Sequence, residues 1–464
     1  MIGGSNLKEL LTNALKAAQA DYCEIRVEET HTSLVLFRGK NLDQLSQTIQ
    51  FGGNVRALVD GGWGFVSFNS LDDLADKVRA ACAQAKAIGA VKREASMLVP
   101  VPVVVKEIKA EVKLDPRQVS LEDKVKLFSG YNDRILSFSP DITSSQVYYY
   151  DKYINVYFAN SEGSYIAQEK FDIGCNMRAI ATRDGVTVQE GVGMGSNNDF
   201  GCVLNKEEAL LKVCQLTLDL LDAPTVKGGE YTIILDPEMA GLFVHEAFGH
   251  LSEADDITEN EALRSVMTLG KRFGGDILNI YDSGLTQGNR GSSMFDDEGV
   301  ATEKTYLVRE GVLVGRLHSR ESAAKMNEKP TGSARALDYR FPPIVRMRTT
   351  CIEAGTSLFE DMIKDIKLGV YAVGGYGGET NGEMFTFTAG CGYMIRDGKI
   401  AELVKDVTLT GNVFTTLANI DMIGQDFTYE NSAGGCGKSA QSPLATSDGS
   451  PHIRVQKVVI GGAK

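Results

Sequence analysis

The sequence predicts an α+β fold: a small N-terminal α+β domain, a strand-rich middle unit, and a C-terminal β-rich sandwich or barrel carrying one histidine-bearing, metal-binding helix. Three observations predict it. Helical and extended patterns alternate over the first ninety residues, aromatic and β-branched runs dominate 142–193, and glycine punctuates many short apolar segments after Gly228-Gly229.

Taken in order, residues 5–18 carry apolar positions at helical spacing, 22–37 and 44–59 read as extended, and Leu71 to about Ala87 reads as a second amphipathic helix. This is the first unit, 1–95. Residues 98–106 form a proline-stiffened connector, and a helix near 120–137 opens the middle unit, 96–225. Val147–Tyr150, Ile154–Phe158 and Ala179–Thr182 are its strands, followed by a helix at Lys206–Leu221. In the third unit, 226–464, Glu230–Leu235 reads as a strand; Asp236 is a good N-cap, Pro237 suits the first helical position, and Met239, Leu242 and Phe243 give an apolar face.

Composition excludes some roles. A formal charge of −13 without a basic cluster opposes a nucleic-acid partner, because binding a polyanion needs clustered lysine and arginine. Neutral or basic peptides are electrostatically easier partners. The eight cysteines show no paired spacing, no apolar run is long enough for a membrane span, and the N-terminal helix is interrupted by Lys8, Glu9 and Lys16. A reduced, cytoplasmic protein is the expectation.

The most informative stretch is His245-Glu246-Ala247-Phe248-Gly249-His250. Neutral imidazole is the commonest protein ligand for zinc, and a carboxylate beside the first histidine can take a proton from water made acidic by the metal. The spacing matters. Histidines five apart lie about 140° apart around a regular helix, so a straight helix cannot aim both at one ion. The segment therefore predicts a wide turn of the π-bulge kind, or a break at Gly249 that swings His250 back.

A third ligand must come from elsewhere. His318, His452, Glu253, Asp255, Cys391 and Cys436 are the donors available. Cys436 ranks first because three glycines flank it and Lys438 would favour its ionised sulfur; Cys391, in a similar glycine setting, is the chief competitor. Glu253 and Asp255 read as residues that orient ligands, or as surface acids. His318 and His452 read as structural or substrate-contacting. The run Gly374-Gly375-Tyr376-Gly377-Gly378 lacks the lysine-serine ending of a phosphate loop and reads as a flexible turn or a loop near the cleft, where strand edges would receive an extended peptide.

These residues resemble the TldD/PmbA metallopeptidases, and specifically the metal-bearing TldD-like member. The resemblance rests on His245 to Asp255, Phe295-Asp296-Asp297-Glu298-Gly299, Thr331-Gly332-Ser333-Ala334-Arg335, the run 434–441 and Gly449-Ser450-Pro451-His452; weaker agreement extends through Asp21-Tyr22 and 52–65. Ser439-Ala440-Gln441 departs from the pattern, with alanine where a glycine precedes the glutamine. The resemblance implies Zn2+ held by His245, His250 and Cys436, and Glu246 as general base; by donor chemistry alone, two histidines and a cysteine also suit Fe2+. It also implies hydrolysis of short or unfolded peptides by a homodimer, or by a heterodimer with a metal-free PmbA-like subunit. Two other readings of the same residues are a deformylase-like metallohydrolase and a non-catalytic, zinc-stabilised peptide-binding module.

Overall fold

The computed structural model describes residues 4–461. Its N-terminal half is built on one long antiparallel sheet. The strands run in the order Gly62–Phe68, Asn41–Val59, Tyr22–Arg38, Ile142–Asn160, Tyr165–Arg183, Val186–Ser196, and the short Val105–Ile108 adds in parallel to the 165–183 strand. The first and middle units share this sheet, because Glu24–Arg38 pairs in unbroken register with Gln146–Asn160. The strand Gly62–Phe68 and the extra length of the others go beyond the sequence reading.

Period-two alternation explains how the sheet is covered. On the strand Tyr22–Arg38, Cys23, Ile25 and Val27 are buried under the helices Gly4–Leu15 and Leu74–Gly89, while Ile173, Cys175 and Met177 pack under Leu121–Ser137 and Glu207–Asp222. The intervening residues Glu24, Arg26 and Glu28 face the other way and are also buried. They meet the C-terminal half through ion pairs: Arg56 joins Glu24 at 2.8 Å and Glu298 at 2.7 Å, and Arg290 joins Asp172 at 2.8 Å. Removing one partner of such a buried pair costs about 3–5 kcal/mol, so these contacts hold the two halves in register.

The C-terminal half contains a closed barrel. Leu368–Asn381, Gly229–Leu235, Ile453–Gly461, Thr408–Asn412 and Met384–Arg396 pair in that order, and the last pairs back with the first. Phe243, Phe385 and Phe387 stack in its core with ring centroids 4.7–5.9 Å apart. A second sheet of six short strands carries Thr349–Ile352 beside Ser447–Ser450 in parallel. The run 374–378 is not a free turn: it continues the strand Leu368–Asn381 through a bulge at Gly375/Gly377, with Gly374 and Gly377 at positive φ. Among the described residues, no helix is long and apolar enough to cross a membrane.

Candidate metal centre

The site begins at the end of the strand Gly229–Leu235. Asp236 accepts a hydrogen bond from Met239 N at 2.8 Å, Pro237 starts the helix Pro237–Val244, and Met239, Phe243 and Val244 bury its apolar face. The helix then widens. Residues 245–249 form a π turn in which His250 N–H donates to His245 O, so the extra residue rotates the second imidazole back toward the first. Their ring centroids lie 5.4 Å apart. Gly249 permits this, since a Cβ there would sit 2.0 Å from Met347 Sδ.

Cys436 arrives on a small hairpin, Cys436–Lys438 paired with Gln441–Leu444. The fully buried Arg346 braces both strands, donating to Cys436 O at 2.7 Å and Gln441 O at 3.1 Å. One ligand atom from each of His245, His250 and Cys436 comes within 4.8 Å of the others, and Cys436 Sγ lies 3.3 Å from His250 Nε2. Three N, N and S donors of a tetrahedral zinc would stand about 3.3–3.6 Å apart, so this donor set fits that ion.

The outer partners aim the rings. Asp448 Oδ1 takes a hydrogen bond from His245 Nδ1 at 2.8 Å, and the fully buried Glu253 takes one from His250 Nδ1 at 3.0 Å. Each leaves its Nε2 free to face the sulfur. Burial alone would push the Cys436 thiol up, but hydrogen bonds and charge from both imidazoles outweigh it and bring the thiol down to about 5. Burial would likewise lower His250, yet the Glu253 carboxylate and the thiolate carry it up to about 10. Glu246 lines the opening with its side chain about one-fifth exposed and Oε2 3.9 Å from His250 Nε2; burial raises it above the ordinary carboxylate value.

Lys438 does not serve the sulfur directly. Its ammonium is clamped by Asp255 at 2.6 Å, Asp256 at 3.1 Å and Glu253 at 3.2 Å, because the hairpin delivers it to the segment after the π turn. It ties the cysteine hairpin to the histidine segment, and Asp255 completes the tie by accepting Val345 N at 3.0 Å.

The remaining donors lie elsewhere. His318 is buried between Ser322 and Glu328, and His452 is held by Tyr371 and Asp426. Cys391 packs with Leu220 and Ala223, where burial pushes its thiol up to about 12. Sequence reasoning missed Asp448 and Arg346. The first adjoins the 449–452 motif, which was a usable signal; the second is one arginine among several with no local mark.

Domain models of the PmbA/TldA metallopeptidases match this chain in three consecutive pieces: domain 1 over 23–88, the central domain over 114–220 and the C-terminal domain over 228–462. The chain belongs to the PmbA/TldD metallopeptidase family. A metalloprotease of Synechocystis is 45% identical over 447 residues, covering 96% of each chain. A zinc metalloprotease TldD homolog of Saccharolobus solfataricus is 28% identical over 451 residues, 96% of this chain and 97% of the other. Among solved structures, a protein of Thermotoga maritima described as a modulator of a DNA gyrase shares this PmbA/TldD fold with TM-score 0.78 at 20% identity, covering 98% of this chain and all of its own.

Proposed function

We propose that this PmbA/TldD family member is a zinc-dependent peptidase that hydrolyses short or unfolded peptides. The observation that carries the reading is the meeting of His245, His250 and Cys436 within 4.8 Å, with the Glu246 carboxylate at the mouth of the same cluster. When bound, Zn2+ would polarise the scissile carbonyl and make water more acidic. His245, His250 and Cys436 would hold it, with Asp448 and Glu253 keeping both imidazoles in the ligating tautomer. Glu246 takes the proton of the attacking water and passes it to the nitrogen of the leaving amine, a task suited to a carboxylate whose pKa burial has raised.

The substrate is bound extended. The strand Leu368–Asn381 pairs with 229–235 only over Gly369–Ala372, so beyond that point its outer edge has no strand partner among the described residues, and it runs beside Leu242 of the site helix. An edge of this kind recognises backbone rather than side chains, which suits sequence-tolerant cleavage. The chain works as a homodimer or beside a metal-free PmbA-like subunit; the exposed Leu42, Leu45 and Ile49 on the outer half of the strand Asn41–Val59 offer an apolar surface for pairing. Light scattering on the chain alone separates the two arrangements.

Glu246→Gln tests the reading. Zinc content, measured by elemental analysis, stays at the wild-type level while hydrolysis of unfolded peptides falls by about 100-fold or more; turnover at the wild-type rate would reject Glu246 as the base.

A further inference from the structure

The charged face of the long sheet and the C-terminal half do not close completely against one another. Between them lies a cavity of about 110 Å3, lined by Arg26, Lys152, Lys170, Arg290, Arg335 and Arg348 against the three carboxylates of Glu28, Asp172 and Asp297. This excess of cations sits inside a chain whose overall charge is −13.

Three of the cations are already used: Arg335 gives Nη1 to Met347 O and Nη2 to Ala445 O. Arg290 holds Asp172, Tyr150 Oη and the carbonyls of Ser432 and Gly434, and Arg348 holds Gly291 O, Gly332 O and Ser293 Oγ. Others are not. Arg26 is 6% exposed; its Nη2 reaches Glu28 at 2.9 Å, while Nε and Nη1 have no hydrogen-bond partner among the described residues. Among the described residues, Lys170 Nζ has one ion-pair partner, Asp297 at 3.7 Å, and that carboxylate is shared with Arg26 at 3.5 Å. Burial and the crowding of Arg346 and Arg348 bring Arg335 down to about 9. Burial and the nearby Arg26, Arg348 and Arg335 bring Lys170 down despite Asp297, and together with the unfilled N–H groups of Arg26 this calls for an anion.

We propose that this cavity is a carboxylate-binding pocket that takes one carboxylate of the molecule held in the neighbouring cleft. The free donors are the separate Nε–H and Nη1–H groups of Arg26, on either side of the Nη2 that Glu28 takes, and the Lys170 ammonium; one N–H from each residue matches the two oxygens of a singly charged carboxylate. A phosphate dianion would bring a second negative charge into a lining that already holds Glu28 and Asp297. The pocket adjoins the metal centre through the chain itself: Leu444 lines it and is the cross-strand partner of Cys436, and Arg335 binds Ala445 O and Met347 O, Met347 being the residue packed on Gly249. If the cleft holds peptides, which rests on the reading above, the group bound is the chain-terminal or an acidic side-chain carboxylate.

Lys170 is the residue to change, since its side chain is 24% exposed and its loss leaves the Arg26–Glu28 pair in place. Succinate titrated into the zinc-loaded protein by calorimetry binds the wild type, binds Lys170→Met about tenfold more weakly, and recovers in Lys170→Arg, a loss of the size expected for one charge-assisted hydrogen bond. Zinc content and the circular-dichroism melt establish that each variant is folded. For a matched pair of peptides, KM is about tenfold lower for the C-terminal acid than for the amide, and the ratio approaches one in Lys170→Met. No succinate binding by the wild type, tighter binding of inorganic phosphate than of succinate, or equal affinity in Lys170→Met overturns the pocket. Failure to cleave any peptide while succinate still binds overturns the peptidase reading and leaves the pocket standing.

Discussion

Asp448 Oδ1 and His245 Nδ1 are joined by a 2.8 Å hydrogen bond between residues 203 positions apart. The contact exists because Gly241 lets the site helix lie against the strand Ser447–Ser450: a Cβ on Gly241 would be 3.1 Å from that of Asp448. Partners of this kind are worth about 10–100-fold in metal affinity. Asp448→Ala therefore weakens zinc binding by that factor, whereas Asp448→Asn, which keeps an acceptor oxygen, loses less. Competition with a zinc chelator measures both, and an undiminished affinity in Asp448→Ala would remove the aspartate from the site.

The two glycine-flanked cysteines give opposite outcomes. Cys436 lies against both imidazoles and is ionised at neutral pH, whereas Cys391 is a protonated thiol packed in an apolar cluster. Cys436→Ala lowers zinc occupancy to near zero at stoichiometric metal, and Cys391→Ala leaves it at the wild-type level with a modest stability cost of about 1 kcal/mol. Elemental analysis after gel filtration distinguishes them; full occupancy in Cys436→Ala would require a different third ligand.

What was legible in the sequence was chemistry with a strong local signature. The i, i+5 histidines called for a widened turn or a break at Gly249, and residues 245–249 form the widened turn. Asp236 and Pro237 marked the start of the site helix because capping is local. What was not legible depends on distant chain. Glu24, Arg26 and Glu28 alternate with apolar residues and so resemble a solvent face, yet the C-terminal half covers them through Glu298 and Asp297. Lys438 was placed beside the thiolate by sequence distance, and the hairpin geometry turned it to three carboxylates instead. The glycine run at 374–378 carried a turn-like composition but lies in a strand, because pairing with Ala389, Thr388 and Phe387 continues through a bulge.

Gly249 is needed for space. A methyl group there would meet Met347 Sδ at 2.0 Å, and Met347 is fully buried, so the π turn or the methionine must move. Gly249→Ala destabilises the protein by about 1–3 kcal/mol, as expected for overpacking, and weakens zinc binding because His250 is displaced. Adding Met347→Ala restores room, so the double variant binds zinc better than Gly249→Ala alone. Additive losses in this double-mutant cycle would show that the two side chains do not compete for the same volume.

Proton competition makes the final prediction. In the metal-free protein, His250 is raised from the usual 6.5 to about 10 and His245 is also raised well above it, while the Cys436 thiol is lowered from 9 to about 5. The stabilisation from His250 is complete below pH 6.5 and is lost as pH rises through about 10; that from Cys436 is present above pH 9 and is lost as pH falls through about 5. Imidazolium and thiolate therefore coexist between those limits, and zinc must displace a proton from each histidine without having to remove one from the sulfur. Calorimetry in buffers of different ionisation enthalpy should detect release of about two protons per zinc near neutral pH, with affinity rising as pH rises. A zinc affinity that stayed flat over about pH 6 to 8 would mean that the histidines are already neutral, and that Asp448 and Glu253 orient the rings without charging them.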